Sequence, residues 1–402
     1  MLQPLRLLSD DPIRDRKRDR LGLSSWAEVV ASAALGTEGP LTIGVLGRWG
    51  VGKTSVLHLA KGLIDASPEA ARQRVTTLLF NAWQYERDEA PLVPLIASIL
   101  QELESKRKSR SKPLKSLHSA LRSLLYGVSA EVSGGIPSLA EASLSIDPSK
   151  SVQRYEVLQS RWIDEQMKRS LYFNAFKTLR ETQSAPAEER HKVVVFIDDL
   201  DRCLPDCAIR LLESIKLVLS EPGFIFVLGV DRSVLDVYLE KRFSQDFGFR
   251  DYQRGQSYMA KFIQLPLWIP AHQPHFAKFV ELLLEDSALA AWRQELVPLT
   301  REIGLACGYN PRQLIRFLND LLVDRFIFQE EEAFPFRIFV AARGIRLHSE
   351  VVYHGLPRLP DLCEKLRACR DAAEVRNTVS AELASARESD FRYDVLLRIQ
   401  GN

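Results

Sequence analysis

Short unbroken apolar runs alternate along the chain with longer stretches in which apolar residues recur at helical spacing. The runs at 41–46, 75–80, 192–197 and 224–230 are too short for helices and rich in branched or aromatic residues, which predicts buried strands. Helices are predicted between them at 53–65, 90–104, 155–180 and 208–219. Another is expected from about 25 to 35, with Ser25 as its cap. From about residue 258 the pattern is mostly helical, with Leu265-Pro266-Leu267 and Ile269-Pro270 as breaks. Strands apolar on both sides, alternating with helices, predict an α/β fold: a parallel doubly wound sheet followed by a C-terminal helical domain.

The intervening composition divides the chain further. Lys106, Arg107, Lys108, Arg110, Lys112 and Lys115 crowd around one proline, and 127–150 is rich in Ser, Gly and Ala. We therefore expect 1–104 to hold an N-terminal approach and the first part of a core. Residues 105–190 form an insertion or helical lobe, 191–270 complete the core, and 271–402 are helical. The basic cluster reads either as a solvated helix or loop, or as a grip on nucleic acid or acidic lipid. It lacks the interleaved aromatics of a single-strand binder.

Charge and cysteine usage narrow the class. The 54 basic and 52 acidic residues nearly cancel, which excludes binding driven by bulk positive charge. With 46% hydrophobic and 26% charged residues, the 402-residue chain has an ordinary globular composition. Five cysteines make no disulfide framework, and Cys203 and Cys207 lack further zinc-spaced partners, so buried thiols are expected. No run reaches the roughly 20 apolar residues of a membrane helix, and Met1 to Leu8 is too short for a signal peptide; the expected location is cytoplasmic.

Gly47-Arg48-Trp49-Gly50-Val51-Gly52-Lys53-Thr54 matches G-x-x-x-x-G-K-[ST], with a strand before it and a helix after it. Glycines let successive N–H groups curl around phosphates, and the helix start adds its positive dipole end. Lys53 then reaches the β and γ phosphates, and the Thr54 hydroxyl offers Mg²⁺ a hard oxygen. The candidate nucleotide-binding set is Gly47, Trp49, Gly50, Val51, Gly52, Lys53, Thr54 and Ser55. The strand at 192–197 ends in Asp198-Asp199-Leu200-Asp201-Arg202. Strand ends line the ligand crevice of a doubly wound sheet, which places Asp198 to hold Mg²⁺, directly or through water. Asp199 is then the candidate to polarise an attacking water. Asp201 and Arg202 read as structural or as contacts to a neighbouring subunit. Trp83 and Tyr85, after the second strand, either line the site or pack beneath it.

The phosphate loop, Phe80-Asn81-Ala82-Trp83-Gln84-Tyr85-Glu86, Ile197-Asp198-Asp199-Leu200-Asp201-Arg202-Cys203 and Val227-Leu228-Gly229-Val230-Asp231-Arg232 occur in one order with Asn310-Pro311-Arg312-Gln313-Leu314-Ile315-Arg316-Phe317-Leu318-Asn319. Together with Asp11-Pro12-Ile13 and Asp19-Arg20-Leu21-Gly22, this set resembles the KAP family of P-loop NTPases, a branch of the STAND and AAA+-like group. The resemblance implies ATP and Mg²⁺ as ligands, hydrolysis in a core with a helical lid, and work within an oligomer or a complex with an effector. It also implies that Arg312 presents a guanidinium to the γ-phosphate. Many relatives insert transmembrane helices between the phosphate loop and the acidic strand. Here residues 124–146 are interrupted by Glu131, Glu141 and several serines, so no integral membrane segment is expected. Bacterial relatives resemble mobile-element exclusion or antiphage ATPases. Three readings follow: an ATPase switch, an ATP-gated scaffold with little turnover, and, more distantly, a nucleotide kinase.

Overall fold

The computed structural model describes residues 5–72, 74–88, 90–105, 112–133, 177, 181, 191–218, 222–237, 259–285, 289–327, 336–368 and 377–382. It divides into two compact units, one of residues 12–270 and one of residues 1–11 with 271–402.

The first unit is built on five parallel strands: β1 (Leu41–Leu46), β2 (Val75–Asn81), β3 (Lys192–Asp198), β4 (Phe224–Val230) and β5 (Leu265–Trp268). Their order is β2-β3-β4-β1-β5. β4 therefore lies between the strand that precedes the phosphate loop and the strand that carries the acids. All seven residues of β4 are buried, and β3 is buried from Val193 onward. This is why both sequences are apolar throughout rather than alternating.

Alternate residues still serve opposite faces. Val193, Val195, Ile197, Phe224, Phe226 and Leu228 share one core with the helices Leu92–Ser105, Lys112–Ser133 and Pro205–Val218. The residues between them face the other way, where the helix Lys53–Ala66 crosses β1 to β4 and packs against the helix Leu23–Gly36. Both faces are thus covered, as a parallel sheet requires.

Two elements depart from the sequence-based expectation. Leu265-Pro266-Leu267 is not a break between helices but part of β5, paired with β1 from Ile43↔Leu265 to Leu46↔Trp268. Its position at the sheet edge accommodates the missing N–H of Pro266, and its alternating half-exposure hides it from an apolar-run criterion. The helix Leu23–Gly36 begins two residues before Ser25. Its first turn is capped by Asp19, whose carboxylate accepts from the backbone of Leu21, Leu23 and Ser24. Those bonds hold the Asp19 carboxyl below its ordinary range against the opposing effect of burial. Within the expected insertion or helical lobe, Lys112–Ser133 is a helix that buries Leu114, Leu117, Leu121 and Leu124 at three- and four-residue spacing. The predicted helix 155–180, apart from residue 177, and about half of the 106–150 stretch lie outside the described residues. Of the basic cluster only the Lys115 side chain is described, and it is exposed.

The second unit is helical. Gln273–Glu285, Thr300–Ala306, Pro311–Ile327 and Phe336–His348 gather Phe276, Phe279, Ile303, Leu314, Phe317 and Leu321 into its core. Phe276 meets Tyr309 edge to face at 5.3 Å. Residues 5–11 are tied to this unit through Leu8, whose N–H donates to Asn319 Oδ1 (2.7 Å) and whose carbonyl accepts from Asn319 Nδ2 (2.9 Å). Arg343 binds the buried carboxylate of Asp324, with Nε to Oδ2 at 2.8 Å. Among the described residues, no helix is long and apolar enough to cross a membrane.

Candidate functional site

The C-terminal ends of β1, β4, β3 and β2 converge on one edge of the sheet. β1 leads straight into the Gly47–Gly52 turn, where the N–H of Gly47 donates to the carbonyl of Val230 at the end of β4 (3.3 Å). Gly50 and Gly52 have φ of 84° and 105°, a region that side-chain-bearing residues rarely enter. A Cβ on Gly52 would also lie 2.7 Å from Leu23 Cδ1. Gly52 is the N-cap of the Lys53–Ala66 helix, so the helix begins at the lysine itself.

Lys53 is buried. Its ammonium donates to the carbonyls of Gly47 (2.9 Å) and Arg48 (3.2 Å) and lies 3.7 Å from Asp201 Oδ2. The cation is thus folded into the concavity of the loop that an anion would fill. Ser55, grouped with the loop by sequence, is buried one residue further on. Its Oγ accepts the N–H of Ile13 at 3.0 Å, tying the Pro12–Ile13 segment to the first turn of the phosphate-loop helix.

β3 brings the acids to the same edge. Asp198 is 6% exposed. Desolvation, reinforced by the neighbouring charge of Asp199, pushes the Asp198 carboxyl up to about 6. Gly229 on β4 makes room for this carboxylate: a Cβ there would lie 2.8 Å from Leu57 Cδ1 and 3.1 Å from Asp198 Oδ1. Thr54, the second residue of the phosphate-loop helix, and Asp198, the last of β3, offer two hard oxygens at this end of the sheet. The donor set suits Mg²⁺, which takes few protein oxygens and keeps water and phosphate for the rest.

Asp199 leaves the strand with φ 57° and ψ 27°, a left-handed conformation that aspartate tolerates better than most residues. Both its carboxylate oxygens are engaged. Asn81 Nδ2, at the end of β2, donates to Oδ2 (3.0 Å), and Arg202 Nε pairs with Oδ1 (2.7 Å). The Asn81 contact follows from register, because Asn81 pairs with Asp198 across β2 and β3. Asn81 Oδ1 is buried, and among the described residues no group pairs with it. An acceptor in that condition suits a bound water or ligand donor. Asn81 falls within the Phe80–Glu86 motif but is given no site role by sequence; its local signal is a polar residue closing an apolar strand.

The residues around these acids divide between core and surface. Tyr85 stacks on Phe80 with ring centroids 5.0 Å apart. Trp83 does not pack beneath the site: it is 48% exposed, with the Arg202 guanidinium 5.6 Å above its ring. Cys203 and Cys207 are buried thiols, and burial pushes Cys203 up to about 12.

Arg312 belongs to the helical unit, at the start of Pro311–Ile327. Asn310 Oδ1 caps that helix by accepting from the N–H of Arg312 (3.0 Å) and Gln313 (3.2 Å). The Arg312 guanidinium pairs with Asp10, Nε to Oδ2 at 3.1 Å.

Comparison with known proteins extends these local findings to the whole chain. It is 25% identical over 354 residues to the phage T7 exclusion protein of Escherichia coli K12, covering 78% of this chain and 42% of that one. The chain thus spans less than half the length of this relative. It is 29% identical over 168 residues to an uncharacterised protein of Methanocaldococcus jannaschii, covering 36% of this chain and 85% of that one. Among solved structures it is similar to the Aeropyrum pernix ORC2 protein in its ADP form, with TM-score 0.38, 12% identity, and coverage of 98% and 86%. The ADPNP–ADP complexes of the same protein give 0.35, 15%, 98% and 89%. The KAP family P-loop domain matches residues 23–327, which contain the loop, the acidic strand end and the Asn310–Arg312 helix start. The chain belongs to the KAP family of P-loop NTPases.

Proposed function

We propose that this protein binds Mg-ATP at the Gly47–Thr54 loop and hydrolyses it as a conformational switch. The observation that carries the reading is the approach of the Lys53 ammonium to Asp201 Oδ2 (3.7 Å), which joins the phosphate loop to the acidic end of a strand far away in sequence. A bound Mg²⁺ would be held by the Thr54 hydroxyl and the Asp198 carboxylate and would neutralise charge on the phosphates. The backbone N–H groups of Trp49, Gly50 and Gly52 would donate to phosphate oxygens, with Lys53 as the mobile cation, while those of Gly47 and Val51 donate to the carbonyls of Val230 and Arg48. Asp199 takes the proton of an attacking water.

The engagement of Asp199 by Asn81 and Arg202 supports the idea that turnover is gated rather than continuous. It also keeps open an ATP-gated scaffold that turns over little until the clamp is released. The similarity to a phage exclusion protein supports a role in defence against mobile elements, exerted within an oligomer or with an effector. Phosphate release from ATP, measured with and without Mg²⁺, tests the proposal. Binding without turnover under all conditions would leave the scaffold. No binding would remove both.

A further inference from the structure

Asp201 has no part in the chemistry assigned so far, yet its carboxylate serves two elements at once. Its side chain is 11% exposed. One oxygen, Oδ2, lies 3.7 Å from Lys53 Nζ and also accepts the backbone N–H of Asp231, at the end of β4, at 3.1 Å. Asp231 in turn opens a helical turn: its Oδ1 accepts from the N–H (3.1 Å) and hydroxyl (2.6 Å) of Ser233. The next residue, Arg232, pairs with Asp236 (3.3 Å) and lies 6.0 Å over the ring of Trp268, the last residue of β5. One carboxylate oxygen therefore connects the phosphate-loop cation to the turn after β4.

The electrostatics give this connection a direction. Of the groups holding the Lys53 ammonium, two are neutral carbonyls, from Gly47 and Arg48, and the charged one is Asp201. Phosphates entering the loop must draw Lys53 away from all three. Separating it from a carboxylate in a poorly solvated site opposes that movement most. The same carboxylate repels the incoming polyanion. A side chain needed only to accept the Asp231 N–H would do neither, because an amide oxygen would serve as well.

We propose that Asp201 is a positioning residue that competes with nucleotide phosphates for Lys53 and transmits the outcome to the Asp231 turn. The inference rests on the reading of Gly47–Thr54 as the phosphate site.

Asp201→Asn tests it, since the variant keeps an oxygen for the Asp231 N–H and loses only the charge. Equilibrium titration of a fluorescent ATP analogue with Mg²⁺ is expected to show binding tightened by roughly 3- to 10-fold. Damage to the fold would weaken binding instead. Asp201→Ser, which also retains an oxygen, carries the same expectation and serves if Asp201→Asn does not fold. A second readout is amide exchange at 231–233, which should change on ATP addition in the parent and respond far less in Asp201→Ala. Unchanged or weaker binding in both neutral variants, with normal binding by the parent, overturns the competition. Lys53→Ala separates the underlying reading: if it binds ATP as the parent does, the phosphate-site assignment fails and the role of Asp201 falls with it.

Discussion

Arg202 and Asp199 form an ion pair within a single turn, Nε to Oδ1 at 2.7 Å, while Asn81 takes the other carboxylate oxygen at 3.0 Å. Two donors on one carboxylate occupy both its oxygens and fix its direction. Arg202 is itself held against the exposed ring of Trp83, so the clamp reaches the protein surface. Anything that draws Arg202 outward would free the group proposed to activate water.

The first prediction separates the base from its clamp. Asp199→Asn should bind ATP with little change and slow hydrolysis by roughly 10²- to 10⁴-fold, the range for losing a general base. Asn81→Ala should instead raise basal turnover a few-fold, because it frees Asp199 Oδ2 to accept from water. Steady-state phosphate release compares the two. A fall in Asn81→Ala as deep as in Asp199→Asn would mean that Asn81 orients the carboxylate for catalysis rather than restraining it.

The second concerns Lys53. Its ammonium is the one side-chain cation placed inside the loop by the geometry described here. Lys53→Ala should weaken ATP binding by about 100-fold or more, since it removes a charge-assisted contact to phosphate. The far-ultraviolet circular dichroism should be unchanged. Hydrolysis at the parent rate would remove the loop from the mechanism.

Much of this geometry was legible in the sequence, for identifiable reasons. Leu41–Leu46 and Phe224–Val230 have the bounds their apolar runs predict, because both strands are buried on both faces. The phosphate loop needs particular residues at particular φ, so its pattern survives as a motif. β5 was not legible: it has four residues, one of them proline, and its burial alternates. The Lys112–Ser133 helix was obscured by the basic residues before it and the small residues within and after it, although its leucines carry the spacing. Asp19 caps the first helix from outside it, across Leu21 and Gly22, where a local rule looks to the adjacent Ser25. The partners of Asn81 and Asp201 were not legible for a deeper reason. These partners, Asp199 in one case and Lys53 with Asp231 in the other, are brought in by strand order, which one-dimensional spacing does not contain.

A third prediction uses the displaced acidity of Asp198. Burial and then Asp199 raise its carboxyl to about 6, against 3.8 for an unperturbed aspartate. Between those values the folded protein binds more protons than the unfolded chain, so stability falls as pH rises through that window. Above it the cost of the buried charge is fully present. In buffer with chelator, Asp198→Asn should therefore be more stable than the parent near pH 7.5, by of order 1–3 kcal/mol. The difference should shrink toward zero near pH 4. Urea unfolding at both pH values measures it. A variant less stable at the higher pH would show that favourable contacts of the ionised carboxylate outweigh its desolvation.

The last prediction addresses Arg312, whose assignment to the γ-phosphate remains a proposal from family resemblance. Within the helical unit its guanidinium pairs with Asp10, whose side chain is 42% exposed. An ion pair that open to water contributes little to stability. The cap at Asn310 is a different matter, because it satisfies two backbone donors of the helix start. Asn310→Ala should therefore cost about 1 kcal/mol, whereas Arg312→Ala should leave the melting temperature nearly unchanged. If Arg312 reads the γ-phosphate, the same substitution should bring the affinities for ATP and ADP together, by weakening ATP binding roughly tenfold and sparing ADP. Asp10→Asn then serves as the control: it removes this ion pair and keeps the guanidinium, and should preserve or enhance discrimination. Titrations of both nucleotides against the three variants decide the matter. An ATP-to-ADP affinity ratio in Arg312→Ala equal to the parent's would assign this arginine to its pair with Asp10 and to nothing in the nucleotide.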